Sequence, residues 1–169
     1  YPDRYVDVGI AEEHAITYAA GLSASGFKPI VPIYSTFMQR AYDHIFHDAL
    51  LQELPLIYCM DRAGLVGADG PTHHGVFDLS FMSSLPGMIV SAPKDGNELR
   101  NLLFTALNSD KNFSIRYPKA SSREYQKDKN AKILKIGTWE VLQEGSESAI
   151  LAVGSMVGMI LDSKKDICS

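Results

Sequence analysis

Seven residues, LPLIYCM at 54–60, constrain the fold more than any other stretch of this 169-residue chain. They form a near-continuous apolar run, the signature of a parallel strand covered on both faces. DRAGLVGADGPTHHG follows at 61–75, a Gly-rich loop that crowds Arg62, Asp69, His73 and His74 together. A buried strand ending in a loop of charge and imidazole is where open α/β sheets put their chemistry.

Strand-like and helix-like patterns alternate along the rest of the chain. RYVDVG (4–9) reads as a short β-rich segment leading into IAEEHAITYAAGLSASG. There Ile10, His14, Tyr18 and Leu22 recur every fourth residue, which predicts a helix with that stripe on one face. Gly26 stops it. PIVPIY (29–34) is β-like, and its two prolines argue against a central place in a sheet. Ser35 or Thr36 is placed to cap a helix through FMQRAYDHIFHDALLQEL. MIVSAP, a helix from about Asp95 to Leu107, and FSIRYP (113–118) complete the series. Such alternation predicts an α/β fold, an open parallel sheet with helices on both faces. From 119 to 132 the composition turns polar and reads as an inter-domain linker. Residues 133–169 read as the start of a further β-rich α/β domain, with AILAVGSMVGMIL (149–161) as a buried strand running into a loop.

Composition narrows the function classes. A net charge of −4 with no basic stripe argues against nucleic acid as the main partner. The 13 residues of 149–161 fall short of the ~20 that a spanning helix needs. Only two cysteines occur, Cys59 and Cys168, which fits a reduced compartment better than a disulfide scaffold. The chain lacks an initial Met and ends abruptly at DSKKDICS, the expectation for a piece of a longer polypeptide.

Three constellations carry candidate chemistry. In DVGIAEEHA (7–15), Glu12 falls in the first helical turn, where the helix dipole favours a carboxylate, so a dipole-stabilising surface role is the plain alternative. In YSTFMQRAYD (34–43), Tyr34 and Phe37 read as core aromatics or as a stacking platform. Arg40 reads as a solvated residue paired with Asp43 one turn on, or as part of a site. In the 61–75 loop the glycine spacing is wrong for a dinucleotide fingerprint. Adjacent histidines rarely ligate one ion, and no further ligand stands at zinc-like spacing, which argues against a metal. His73 and His74 could simply satisfy loop carbonyls. His44 and His47 read as partly exposed helix residues without a function, and Cys59 as a small core hydrophobe.

Taken together, GIAEEH, YSTFMQRAYD and DRAG with GADGPTHHG resemble the central, pyrimidine-binding domain of thiamine-diphosphate enzymes of the transketolase type. Within that group they resemble the 1-deoxy-D-xylulose-5-phosphate synthase family, continuously from about Tyr5 to Pro118. The resemblance implies a pyrimidine-binding domain over 1–118, incomplete at its N-terminal side, ahead of the linker. It gives Glu12 a catalytic role: the carboxyl bonds a ring nitrogen of the cofactor's aminopyrimidine, and that contact promotes proton removal from the thiazolium carbon. Phe37 would stack on the pyrimidine. Tyr34 and Arg40 would line the substrate pocket. Arg62 and Arg116 would grip a substrate phosphate, for which arginine's planar fork is suited. His73 would act beside the reacting carbonyl as proton donor or acceptor, and Asp69 would order the loop or touch substrate. Glu13 departs from the family pattern, where Gln is commoner.

The implied activity is decarboxylation of pyruvate and transfer of its two-carbon fragment to glyceraldehyde 3-phosphate. That forms 1-deoxy-D-xylulose 5-phosphate, a precursor of isoprenoids and of thiamine. The diphosphate and Mg²⁺ would be held by a GDG-type motif in a domain this sequence does not include, so the piece by itself is expected to be inactive. A homodimer in the bacterial cytoplasm or the plastid stroma is also implied. A transketolase or a 2-oxo-acid dehydrogenase beta subunit is the nearest rival. Arg62, and a histidine two after the glutamate rather than one, count against it. A non-catalytic dimerisation or regulatory domain of the same fold is the rival from another class.

Overall fold

A computed structural model describes residues 1–122, 125–127 and 130–163. Four parallel strands form its sheet: β1 (Ile30–Tyr34), β2 (Ile57–Asp61), β3 (Ile89–Ser91) and β4 (Phe113–Arg116), in the order β1-β2-β4-β3. Tyr34 pairs in register with Asp61, and Met60 with Arg116, so the chain leaves β1, β2 and β4 along one edge. The strand with two prolines in its neighbourhood, β1, stands at the border of the sheet as its sequence implied.

β2 is central, and its alternation explains why the whole run is apolar. Leu56, Tyr58 and Met60 enter one core with Ile16, Met38, Ala41, Ile45 and Met82. Ile57 and Cys59 enter the other with Phe113, Ile115 and Ala106. Both faces are therefore covered, and the expected fold class is the observed one. At the opposite edge from the site, the buried Asn112 carboxamide oxygen accepts from Leu56 N–H (3.2 Å) and the Tyr58 hydroxyl (3.0 Å). Burial holds the Tyr58 phenol well above its ordinary pKa.

Helix α1 (Glu12–Ala24) ends before Gly26, whose φ of +84° suits glycine. Its inward face is not the expected stripe. Ala15, Ile16, Ala19, Ala20 and Ser23 are buried, while Ile10 precedes the helix and is 92% exposed, and His14 and Tyr18 face outward. Small side chains allow α1 to approach Ala41 and Ala49 closely, so the alanine face wins over the larger stripe. The stretch 35–50 is helical but discontinuous: α2 (Ser35–Met38), a 3₁₀ turn (Gln39–Ala41), α3 (Tyr42–His44) and a π-helical turn (Ile45–Leu50). One inward stripe of Met38, Ala41, Ile45 and Ala49 survives the changes of pitch. Neither expected cap operates, since Tyr34 precedes the first turn and no side chain caps it. Beyond β2 come α4 (Asp78–Ser83) and α5 (Gly96–Leu107), the latter capped by Asp95, whose carboxylate accepts from Glu98 N–H at 2.8 Å.

Two expected β segments are absent among the described residues. RYVDVG is unpaired chain that follows on a 3₁₀ turn (Pro2–Arg4). Residues 133–163 contain a single short helix, α6 (Met156–Asp162), and no strand. A strand is stable only against a neighbour, and neither segment has one. Parts of the expected linker (123–124 and 128–129) and the terminal 164–169, with Cys168, lie outside the described residues. No helix among the described residues is long and apolar enough to cross a membrane.

Candidate active site

The chain turns away from β1 at Tyr34 and from β2 at Asp61, side by side. Each turn delivers aromatic or charged side chains to the same sheet edge. After β2 the backbone bends sharply: Arg62 has φ +55°, a left-handed conformation uncommon for a residue with a side chain. The loop then closes on itself. Gly64 N–H donates to Gly75 O (2.7 Å) and Gly75 N–H to Gly64 O (2.9 Å). Gly75 is needed there because a Cβ would lie 2.2 Å from Ser35 Oγ and 2.7 Å from Arg62 O.

Within this frame most of the expected site residues meet in one chain of contacts. The Glu12 carboxylate, with a side chain only 12% exposed, accepts from Arg40 Nη1 at 2.9 Å. The Arg40 guanidinium lies over the Phe37 ring, 4.6 Å from its centroid. Phe37 stacks with Tyr34 at 5.7 Å and 17°, and His73 meets Phe37 edge-on at 5.4 Å. Tyr34 in turn carries the Arg62 guanidinium 3.7 Å from its ring centroid. Arg62 pairs with Asp61, and its Nε stands 3.4 Å from Asp69. Asp69 closes the array by accepting from Lys119 Nζ at 2.8 and 2.9 Å.

Electrostatics follow from these contacts. The hydrogen-bonded Lys119 ammonium, seconded by Arg62 and opposed by partial desolvation, holds the Asp69 carboxyl below its usual pKa. On the strand side, burial pushes the Cys59 thiol up to about 11 with help from Asp61. Burial, with Cys59 and Asp61, raises Tyr117 to about 12. The two adjacent histidines have separate tasks. His74 Nδ1 accepts from Val66 N–H (3.2 Å) and so braces the loop, whereas His73 bonds Thr72 Oγ1 (2.9 Å) and joins the aromatic group.

One expected pairing is replaced, and one arginine gains a partner. Arg40 does not pair with Asp43, which instead faces His47 Nδ1 at 3.0 Å. Arg116 has a partner that the sequence did not suggest. Its Nε and Nη2 bind Asp78, at 2.9 and 3.4 Å, and that carboxylate is only 2% exposed. A buried carboxylate demands a cation, and β4 supplies this one. Asp61, Asp78 and Lys119 were missed from the sequence. No pattern in the sequence set Asp78 apart, and Lys119 read as the first residue of a polar linker. Two clefts, of about 760 and 280 Å³, lie beside α5 and contain none of Glu12, Phe37, Arg62 or His73.

The fold, a parallel sheet with acid, aromatic platform and charged loop at one strand edge, defines an α/β class, and comparison with known proteins gives the family. Residues 1–124 match the family described as transketolase, pyrimidine binding domain. The chain belongs to that family. It is 52% identical over 167 residues to 1-deoxy-D-xylulose-5-phosphate synthase 1 of Geobacter sulfurreducens, covering 99% of this chain and 26% of that protein. It is 56% identical over 154 residues to the 1-deoxy-D-xylulose-5-phosphate synthase of Aquifex aeolicus, covering 91% and 24%. Among solved structures it is similar to a split-gene transketolase described as an inactive beta4 tetramer. The TM-score there is 0.85 at 28% identity, over 99% of this chain and 54% of that one. The chain thus spans about a quarter of the length of these curated relatives.

Proposed function

We propose that this chain is the pyrimidine-binding part of a thiamine-diphosphate-dependent synthase. The reaction joins the two-carbon fragment of decarboxylated pyruvate to glyceraldehyde 3-phosphate and yields 1-deoxy-D-xylulose 5-phosphate. The observation that carries this reading is the convergence of Glu12 and Phe37. Although 25 positions apart in sequence, both engage one planar, nitrogen-bearing group, the Arg40 guanidinium, through a hydrogen bond and a ring face. An aminopyrimidine asks for those same two contacts, so the residues present fit the cofactor. Identity near 50% to two synthases supports the particular reaction.

Thiamine diphosphate, when bound, supplies the carbon nucleophile. Glu12 would accept a hydrogen bond from the pyrimidine and hold a shared proton there, in a setting where little water competes. Phe37, backed by Tyr34, would orient the ring. Arg62, positioned by Asp61, Asp69 and the Tyr34 face, would bind the acceptor's phosphate. His73, against Phe37, would exchange a proton with the reacting carbonyl. Arg116 would act at one remove, fixing α4 through Asp78 and leaving Nη1 as its contribution to an anion. The diphosphate and Mg²⁺ would be held by residues outside this chain, and the working enzyme would be a homodimer in a bacterial cytoplasm or plastid stroma.

The test has two parts. The longer protein, assayed with pyruvate and glyceraldehyde 3-phosphate, should form the five-carbon product. Absence of product under Mg²⁺ and thiamine diphosphate refutes the reading. This chain alone offers one stacking face at ~1 kcal/mol and one charge-assisted bond at ~2. Immobilising a ligand costs an estimated ~4 kcal/mol or more. Calorimetry of the chain with thiamine diphosphate should therefore give an affinity no better than about millimolar.

A further inference from the structure

We propose that Arg40 is an internal stand-in for the cofactor's pyrimidine, occupying Phe37 and Glu12 until the cofactor displaces it. This rests on the assignment of those two residues to the pyrimidine. The guanidinium is planar and presents N–H donors in its own plane. It lies 4.6 Å over the Phe37 ring and donates to Glu12 Oε1 at 2.9 Å. Stacking face and carboxylate are thus satisfied by one flat, hydrogen-bonding group, as an aminopyrimidine would satisfy them. The two occupancies exclude one another.

The arrangement has a physical purpose. With its side chain only 12% exposed, Glu12 would hold a poorly solvated charge if it lacked a partner, and Arg40 neutralises it. Release is feasible because, among the described residues, Arg40 is held by one ion pair and one ring face. Its side chain is 45% exposed and projects from the 3₁₀ turn Gln39–Ala41, where Ala41 alone is anchored in the core. Cofactor entry would therefore cost no repacking, only the exchange of one planar partner for another. The released cation would remain at the rim of the site.

The consequence is that Arg40 competes with the cofactor. The contacts to be broken are one cation–π pair and one half-exposed ion pair. Their removal should tighten pyrimidine binding by about 3- to 30-fold. The experiment titrates this chain with thiamine diphosphate and Mg²⁺ at about millimolar concentrations. It observes Phe37 ring signals and arginine side-chain nitrogens by NMR, in the natural sequence, Arg40→Ala and Arg40→Lys.

In the natural sequence, the Phe37 and Arg40 signals should shift together with one common affinity. Arg40→Ala should bind tighter by the stated factor, and Arg40→Lys should fall between, since lysine keeps the charge and loses the plane. Phe37 shifts with Arg40 signals unchanged, or equal affinities in all three proteins, would overturn the stand-in role and leave the pyrimidine assignment intact. No Phe37 response in any of the three would overturn the assignment itself, and the proposal with it. Should Arg40→Ala fail to fold, the joint shift in the natural sequence decides the matter alone.

Discussion

At the scale of single residues, adjacent glutamates and two arginines differ in the partners they hold. Glu12 bonds Arg40, which itself lies over Phe37, whereas no such bond is seen for Glu13 among the described residues. In the longer protein, Glu12→Ala should lower turnover by about 10²-fold or more, the usual loss for one essential transition-state interaction. Glu13→Ala should be far milder, and steady-state assays of the two variants decide it. Arg62 and Arg116 should part company in the same way. Arg62→Ala should raise the requirement for the phosphorylated substrate by about 10- to 150-fold while sparing pyruvate, as loss of a charge-assisted contact does. Arg116→Ala strands the buried Asp78 carboxylate and should destabilise the fold by about 3–5 kcal/mol. Denaturant melts of both variants, set beside the substrate dependence of each, would show the split. The glutamate, the aromatics and the loop charges were all legible in the sequence. The buried partner of Arg116 was not, because nothing in FDLS distinguishes a carboxylate that caps a helix from one that is sealed beneath it.

At the scale of elements, the loop 64–75 depends on its closure. Gly75→Ala places a methyl group against Ser35 and the Arg62 carbonyl, an overpacking that should cost about 1–3 kcal/mol. Ser35→Gly should recover part of that loss, since two of the three nearest atoms belong to Ser35, and thermal melts of the double variant test it. Strands β2 and β4 set an alkaline limit. Cys59 titrates near 11 in the fold against an ordinary 9.0, so its folded pKa is raised. Stability from this group is complete below about pH 9 and is lost as pH climbs towards 11, because the unfolded chain ionises first. Cys59→Ala should flatten that part of a stability-against-pH curve. Elements were readable wherever apolar pattern and turn residues agreed: β2, β3, α5 and β4 stand where expected. They were unreadable where pairing or pitch decides. RYVDVG has the composition of a strand and no neighbour, and the helical pattern of 35–50 hides changes of pitch that only packing against α1 selects.

At the scale of the whole molecule, several described residues of the polar stretch after β4 are bound to α5. Along α5, Asn97, Asn101 and Thr105 form a stripe at four-residue spacing. Their side-chain oxygens accept backbone N–H groups of Gln126 (2.8 Å), Lys132 (3.0 Å) and Leu134 (2.9 Å). For the last two the fit is geometric: two extended residues advance ~6.6 Å and four helical residues ~6 Å, so Lys132 and Leu134, two apart, meet Asn101 and Thr105, one turn apart. Arg100 adds a bond to Gln126 O at 2.8 Å, and Lys94 reaches Glu140 at 2.5 Å. Amide exchange at Lys132 and Leu134 should be slowed by about tenfold or more, and Asn101→Ala with Thr105→Val should release it while β2 stays protected. Exchange at free-peptide rates in the natural sequence would rule the strap out. Composition could not announce this, because a segment with little to bury looks the same whether its backbone is solvated or held by side-chain oxygens.

That strap fixes where this unit can be cut and rejoined. The family match stops at residue 124, ahead of the amides that α5 receives. A chimera spliced at that point would leave three acceptors on α5 facing a foreign segment out of register. The natural joint for exchanging modules lies past Leu134, so helix and strap must be inherited as one piece.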